Sequence, residues 1–256
     1  MRDVKPLLKR MKVLVFDTET TGLPLDQYAP LTQSEKWPYI IQLSFMVFHT
    51  ETKEILAYSD TIIQLDAAVS ISPESIAIHQ ITRERSQTEG QPIQYALAHL
   101  AEQMSECDVI VGHNILFDKR MLMVEMHRNK MKNCLYKNGI AIPDYCTMKR
   151  SIELCKLPAI NKITGELYKN YKYPTLTELH HYLFKSNPRG THNAIADVMI
   201  CLRCYIKLNY NYDIAIDPDV KLVFRSLYAS YCGGDTPQPP ADALGGWAGG
   251  GGGRMH

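Results

Sequence analysis

Lys12-Val13-Leu14-Val15-Phe16-Asp17-Thr18-Glu19-Thr20-Thr21-Gly22 begins as an apolar, β-branched run and ends in two acids. Residues 12–16 read as a buried strand, because a short continuous apolar run of this kind suits the interior of a sheet. Residues i and i+2 of a strand point to one face, so Asp17 and Glu19 converge at the strand's end. Two adjacent carboxylates repel unless a positive charge lies between them. Oxygen ligands suit Mg²⁺ or Mn²⁺ in that role. Taken alone, the pair is also what a polar strand end facing water looks like.

Outward from this strand, residues 39–49 and 55–64 form two more strand-like runs, joined by a polar turn at 50–54. Residues 92–105 space Ile93, Ala96, Leu97, Leu100, Ala101 and Met104 as one face of a helix. Then come a strand at 108–112, a helix at 116–129, a strand at 140–145 and a helix near 148–155. Helices at 176–184 and 194–208 follow. A meander of strands followed by alternating strands and helices predicts an α/β fold, with a mixed central sheet flanked by helices.

Two further stretches bear on the acids. Gly112-His113-Asn114-Ile115-Leu116-Phe117-Asp118 places an acid at a strand-to-helix junction, where open α/β sheets gather their sites. His192-Asn193-Ala194-Ile195-Ala196-Asp197 holds a second histidine–acid combination. On one helix, five residues turn through roughly 500°, leaving the two side chains about 140° apart. They converge only if His192 lies in a loop after Gly190 and Asp197 lies in the first turns of a helix. A cap at Thr191 or Asn193 would set that boundary.

These motifs, in this order, resemble the DEDDh exonuclease family, which includes the proofreading epsilon subunit of bacterial DNA polymerase III and the TREX-type exonucleases. The resemblance covers roughly residues 11–210 and implies an RNase H-like fold. Ile78-His79-Gln80-Ile81-Thr82 is similar to the family's Ile-His-Gly-Ile-Thr element, with Gln80 in place of Gly. The resemblance implies that Asp17, Glu19, Asp118 and Asp197 hold two Mg²⁺ or Mn²⁺ ions, with His192 as general base. It also implies substrate contacts from Thr18, Thr20, Leu23, His79, Ile81, Asn114 and Phe117. Leu23 and Ile81 would wedge between the last two bases, and Phe117 would stack on a base or sugar. His113 reads as structural, since Asn114 carries the family match.

The expected activity is metal-dependent 3′→5′ removal of nucleoside 5′-monophosphates from single-stranded or frayed DNA ends. Proofreading and a DNA polymerase partner remain open, RNA is the alternative substrate, and an inactive nucleic-acid-binding or tethering module is the rival class. The formal net charge of +1 over 256 residues excludes a strongly basic DNA-coating protein, but not an enzyme with one positive groove. No apolar run reaches the roughly 20 residues that span a bilayer, so no membrane partner is expected. The first residues lack a signal peptide's pattern, which points to a cytoplasmic setting. Seven scattered cysteines make no disulfide framework, and Cys201-Leu202-Arg203-Cys204 reads as two thiols on one helical turn.

The expected organisation is an extension at 1–10, the exonuclease domain at 11–210, a further extension at 211–232, and a disordered Gly/Pro-rich tail at 233–256. Residues 157–173 form an inserted hairpin in that domain. From Lys156 to Tyr173 it interleaves Lys156, Lys162, Lys169 and Lys172 with Tyr168, Tyr171 and Tyr173. That alternation suits single-stranded nucleic acid, with ammonium groups on phosphates and rings on bases. An ordinary solvated hairpin is the other reading.

Overall fold

In the computed structural model, residues 10–161 and 163–233 are described. The expectations for residues 1–9, Lys162 and the tail from 234 onward lie outside them. Strand β1 (Lys12–Thr20) runs on through both acids. It pairs antiparallel with β2 (Ile40–His49), which pairs antiparallel with β3 (Glu54–Ile62). Three helices follow: α1 (Pro73–His79), α2 (Arg83–Thr88) and α3 (Ile93–Glu106). Strand β4 (Val109–Gly112) lies parallel to β1 and leads into α4 (Ile115–Arg128). After the small pair β5 (Tyr136–Lys137) and β6 (Ile140–Ala141), β7 (Asp144–Cys146) completes a sheet of order β3-β2-β1-β4-β7. The chain continues through α5 (Thr147–Arg150), α6 (Ile152–Cys155), the antiparallel pair β8 (Pro158–Ile160) and β9 (Leu167–Tyr171), and α7 (Leu176–Phe184). It ends, within the described residues, with α8 (Ala194–Tyr210) and α9 (Leu222–Cys232).

The mixed sheet is therefore as expected, and its central strand explains the site. Val13 and Val15 belong to the apolar cluster built with α8 and α9, whereas Leu14 and Phe16 belong to the one built with α3 and α4. Burying each such side chain contributes about 1.5–3 kcal/mol. The period of two carries on past the core. Asp17 and Glu19 follow Val13 and Val15 toward α8, and Thr18 follows Phe16 toward α4.

Three local outcomes differ from the sequence reading. The strand expected at 140–145 is two strands, β6 and β7, and Asn138 (φ 52°) and Gly139 (φ 79°) turn the chain ahead of them, between β5 and β6. Pro143 then separates β6 from β7, which joins the main sheet beside β4. The helix expected at 148–155 is likewise two short helices, α5 and α6. The extension at 211–232 contains α9, whose Phe224, Tyr228 and Cys232 sit in the same buried cluster as α8.

Gln80 caps α1 in the left-handed conformation (φ 58°, ψ 21°), the geometry for which a helix end favours glycine. The turn forms without glycine, at a cost. Gln80→Gly should stabilise the protein by up to about 1 kcal/mol, the steric penalty of a left-handed side chain less glycine's entropy. Thermal unfolding checks it, and an unchanged or lowered midpoint would mean the turn carries no strain.

Candidate active site

Three of the expected ligands meet where β1 leaves the core beneath α8. Asp17, Glu19 and Asp197 each offer a carboxylate oxygen within 4.8 Å of the others. Strand alternation supplies the first two. The third comes from the first turns of α8, whose N-cap position is Asn193. Its cap differs from expectation: Asn193 makes no side-chain cap bond, and the Ala194 N–H donates instead to Gln42 Oε1 at 3.3 Å.

Asp118 reaches the site from the other face of β1. At 3% exposure it is buried. Its Oδ1 accepts from the Thr18 N–H (3.1 Å) and the Thr18 hydroxyl (2.8 Å). Asp118 thus lies outside the trio but acts on it electrically, raising the pKa of both Asp17 and Glu19.

Among the described residues, no lysine or arginine forms a salt bridge with any of the four acids. The consequence is electrostatic frustration. Burial, with Asp118, Asp197 and Glu19 adding to it, raises Asp17 well above the carboxylate range. Burial, then Asp197 and Asp118, push Glu19 to about 8. Burial lifts Asp118 to about 7 against the pull of the Thr18 hydrogen bonds. Burial lifts Asp197 to about 6, with the His192 N–H and imidazole opposing. A cluster of oxygen donors that holds its protons this tightly fits a hard divalent cation, which would replace those protons.

Raised carboxylate pKa values favour the folded state only while the acids are protonated. The contribution is full below about pH 4, where the unfolded chain is protonated too. It is lost as pH rises through the folded values of about 6, 7 and 8. Glu19→Gln removes one charge without changing shape, so metal-free protein at pH 8 should gain on the order of 1–2 kcal/mol. The gain should fade toward pH 4, and thermal unfolding at the two pH values checks it. An equal gain at both would point to packing rather than charge.

His192 lies exposed in the loop before α8, as the sequence predicts, with φ 71°. Its N–H donates to Asp197 Oδ2 at 3.1 Å, so the acid fixes the backbone that carries the imidazole. Thr18 and Thr20, expected as substrate contacts, are buried and occupied within the protein. Thr18 holds Asp118, and the Thr20 hydroxyl donates to the Gly22 carbonyl at 2.8 Å. His79 is buried as well. Its Nδ1 accepts from the Ile81 N–H at 3.0 Å, and burial lowers its pKa, offset in part by the Thr20 backbone.

The expected apolar pair is divided. Leu23 stands 83% exposed, whereas Ile81 is 2% exposed and packs with Ile41 and Leu65. The exposed apolar residue of that element is Ile78, on α1. Phe117, one residue before Asp118, joins Leu23, Tyr28, Trp37, Asn114 and Arg120, among others, in lining a cleft of about 590 Å³. It brings Leu23, Asn114 and Phe117 together. Sequence reasoning missed Arg120, although it follows Leu116 and Phe117 at helical spacings of four and three.

His113 is structural in its contacts. The Pro174 carbonyl can only accept, so His113 Nε2 donates to it (3.0 Å) and Nδ1 accepts from the Thr147 hydroxyl (2.9 Å). Burial pushes this imidazole down to about 4, keeping it neutral. The bond ties the segment returning from the β8–β9 hairpin to the loop that carries Asn114. In the hairpin, Tyr168, Tyr171, Tyr173 and Lys169 are exposed, and Lys172 pairs with Glu178 at 2.5 Å. All seven cysteines are free, with Cys201 and Cys204 buried in α8. Among the described residues, no helix is long and apolar enough to cross a membrane.

Residues 14–205 match a protein family described as exonuclease (RNase T type). No curated protein matches the chain. Solved structures of similar fold include the zinc-bound complex of Escherichia coli exonuclease I with single-stranded DNA. It is 16% identical, with a TM-score of 0.56, over 78% of this chain and 41% of that one. The same enzyme in complex with a dA16 oligonucleotide gives 16% identity and a TM-score of 0.55, over 77% and 41%. Exonuclease I from Methylocaldum szegediense gives 16% and 0.51, over 86% and 43%. At such identity the likeness is one of fold, and this chain spans about two fifths of the length of those it matches.

Proposed function

The chain belongs to the exonuclease family, and we propose that it falls in that family's DEDDh 3′→5′ branch and removes nucleoside 5′-monophosphates from the 3′ ends of single-stranded or frayed DNA. The observation that carries this reading is the trio Asp17, Glu19 and Asp197, which converges, with no lysine or arginine ion pair to it among the described residues, on a chain of that family. Asp17, Glu19, Asp118 and Asp197 would hold two divalent ions, Mg²⁺ or Mn²⁺. When bound, such ions stabilise charge on the attacking and leaving oxygens of a phosphodiester.

The chain's own residues do the rest. His192, exposed beside Asp197, takes the proton from the attacking water as general base. Thr18 fixes the rotamer of Asp118. Leu23 offers its exposed side chain to the terminal base, and Phe117 offers its ring from the adjacent cleft. Arg120, in the same cleft, would attract a phosphate. Ile81 then serves as packing beneath the site rather than as a wedge.

DNA as substrate is supported by the similar fold of an exonuclease I bound to single-stranded DNA. Parallel digestion of single-stranded DNA, duplex DNA and RNA with Mg²⁺ or Mn²⁺ tests it. Single-stranded DNA should be degraded fastest, and faster loss of RNA would make the enzyme an exoribonuclease. Service to a DNA polymerase is a finer proposal, which preferential removal of mismatched 3′ ends would support.

The hairpin's exposed tyrosines and lysines suit the strand leading into the site. Replacing Lys162, Lys169 and Lys172 by Ala should raise KM for single-stranded DNA and leave turnover at saturation unchanged. The log–log salt slope of binding should flatten by up to about 0.7 per lost phosphate contact. An unchanged slope would leave the hairpin as a solvated surface feature.

A further inference from the structure

The loop that carries His192 is held from outside the family-matched region, by the last turn of α9. The Arg189 N–H donates to the Cys232 carbonyl at 3.0 Å. At Gly190 (φ 72°), a Cβ would lie 2.2 Å from the Tyr231 carbonyl oxygen, so a side chain cannot enter without moving backbone. The fully buried Cys232 thiol lies 3.7 Å from the Ala196 carbonyl, in the first turn of α8.

Helix α9 is in turn fixed from below. The Tyr228 hydroxyl bonds His180 Nε2 (3.0 Å) and an Arg203 guanidinium nitrogen (2.9 Å), and Arg203 forms a two-point ion pair with Asp213 (2.8 and 2.7 Å). The loop is therefore pinned at both ends, by α9 at Arg189–Gly190 and by Asp197 at the His192 N–H.

We propose that the C-terminal turn of α9, through the Tyr231 and Cys232 carbonyls packed on Gly190 and Arg189, is a positioning element that sets His192 over the carboxylate cluster. This rests on His192 as the general base proposed above. Side chains held near their productive geometry contribute to rate, and a displacement of about 1 Å can cost 10²-fold. Family membership alone would not reveal such a device, because α9 lies beyond residues 14–205.

The test uses the full chain with Gly190→Ala and, as a milder loosening from the helix side, Cys232→Ala, which removes the buried thiol packed on the Ala196 carbonyl. Gly190→Ala should lower the melting midpoint, as a Cβ at φ 72° and 2.2 Å from backbone requires, and should lower kcat of the folded protein at least tenfold while KM, oligonucleotide affinity and Mn²⁺ binding stay near those of the parent. Cys232→Ala should shift kcat in the same direction by about threefold, and decides the matter if Gly190→Ala does not fold. Each is also made in a His192→Ala background, where it should cost nothing further. Unchanged kcat in a folded single variant, or an equal loss in both backgrounds, would overturn the proposal. His192→Ala alone reads the base assignment separately, and near-parental turnover there would remove that assignment whatever the other variants do.

Discussion

Asp17→Asn should lower the exonuclease rate by about 10³–10⁴-fold while leaving the protein folded. Charge stabilisation by a metal centre is worth several kcal/mol, and each 1.36 kcal/mol is tenfold in rate. Asp17 is one of three carboxylates whose oxygens lie within 4.8 Å, so the change to Asn removes one of that set's three negative charges and leaves a weaker, neutral oxygen in its place. Folding should survive because burial and its acidic neighbours already penalise the charged form of Asp17. Single-turnover cleavage of an end-labelled oligonucleotide, with circular dichroism as the folding control, checks both halves. A variant that keeps more than a tenth of the parental rate would remove Asp17 from the chemistry.

His192→Ala should lower kcat by about 10²–10⁴-fold and leave KM within a few-fold. General-base catalysis contributes in the transition state rather than in ground-state binding. The pH dependence of the parental rate should change shape in the variant, because the proposed proton acceptor is gone. Asp197 and the α8 helix should stay in place, because the His192 contact to Asp197 is made by its backbone N–H. Steady-state kinetics across pH 5–9 separate the outcomes. Parental turnover with an unchanged pH dependence would make His192 a loop residue only.

The acids were legible because their chemistry restricts residue type and because strand alternation is rigid. Two residues of separation in an extended run put Asp17 and Glu19 on one face, whatever the rest of the chain does. The helix at Leu176–Phe184 was equally plain, with Thr175 and Glu178 forming a capping box. Other features lay in signals that the periodicity overrode. Asn138-Gly139 is a hairpin turn and Pro143 a strand breaker, yet the apolar run at 140–145 read as one strand. Helix α1 is only seven residues long, too short for its period to stand out, although Ser72 and Pro73 mark its start. Phe224, Tyr228 and Cys232 recur every four residues, but the Gly- and Pro-rich sequence that follows hid α9.

The division of Leu23 from Ile81, and the cleft with Trp37 and Arg120, were beyond local reading. They depend on how residues 23–37 fold against α4, a long-range outcome with no short-range period. The occupation of Thr18 and Thr20 inside the protein is similar. A hydroxyl in such a motif looks available until Asp118, 100 residues away, is brought up to accept from it.

The most direct test is digestion of a 5′-labelled linear single-stranded DNA alongside a covalently closed circle of the same sequence, each with Mg²⁺ and with chelator. With Mg²⁺ the linear strand should shorten stepwise from its 3′ end and release nucleoside 5′-monophosphates. The circle should remain intact, and chelator should stop all cleavage. Opening of the circle, or shortening in the presence of chelator, would contradict a metal-dependent 3′→5′ exonuclease.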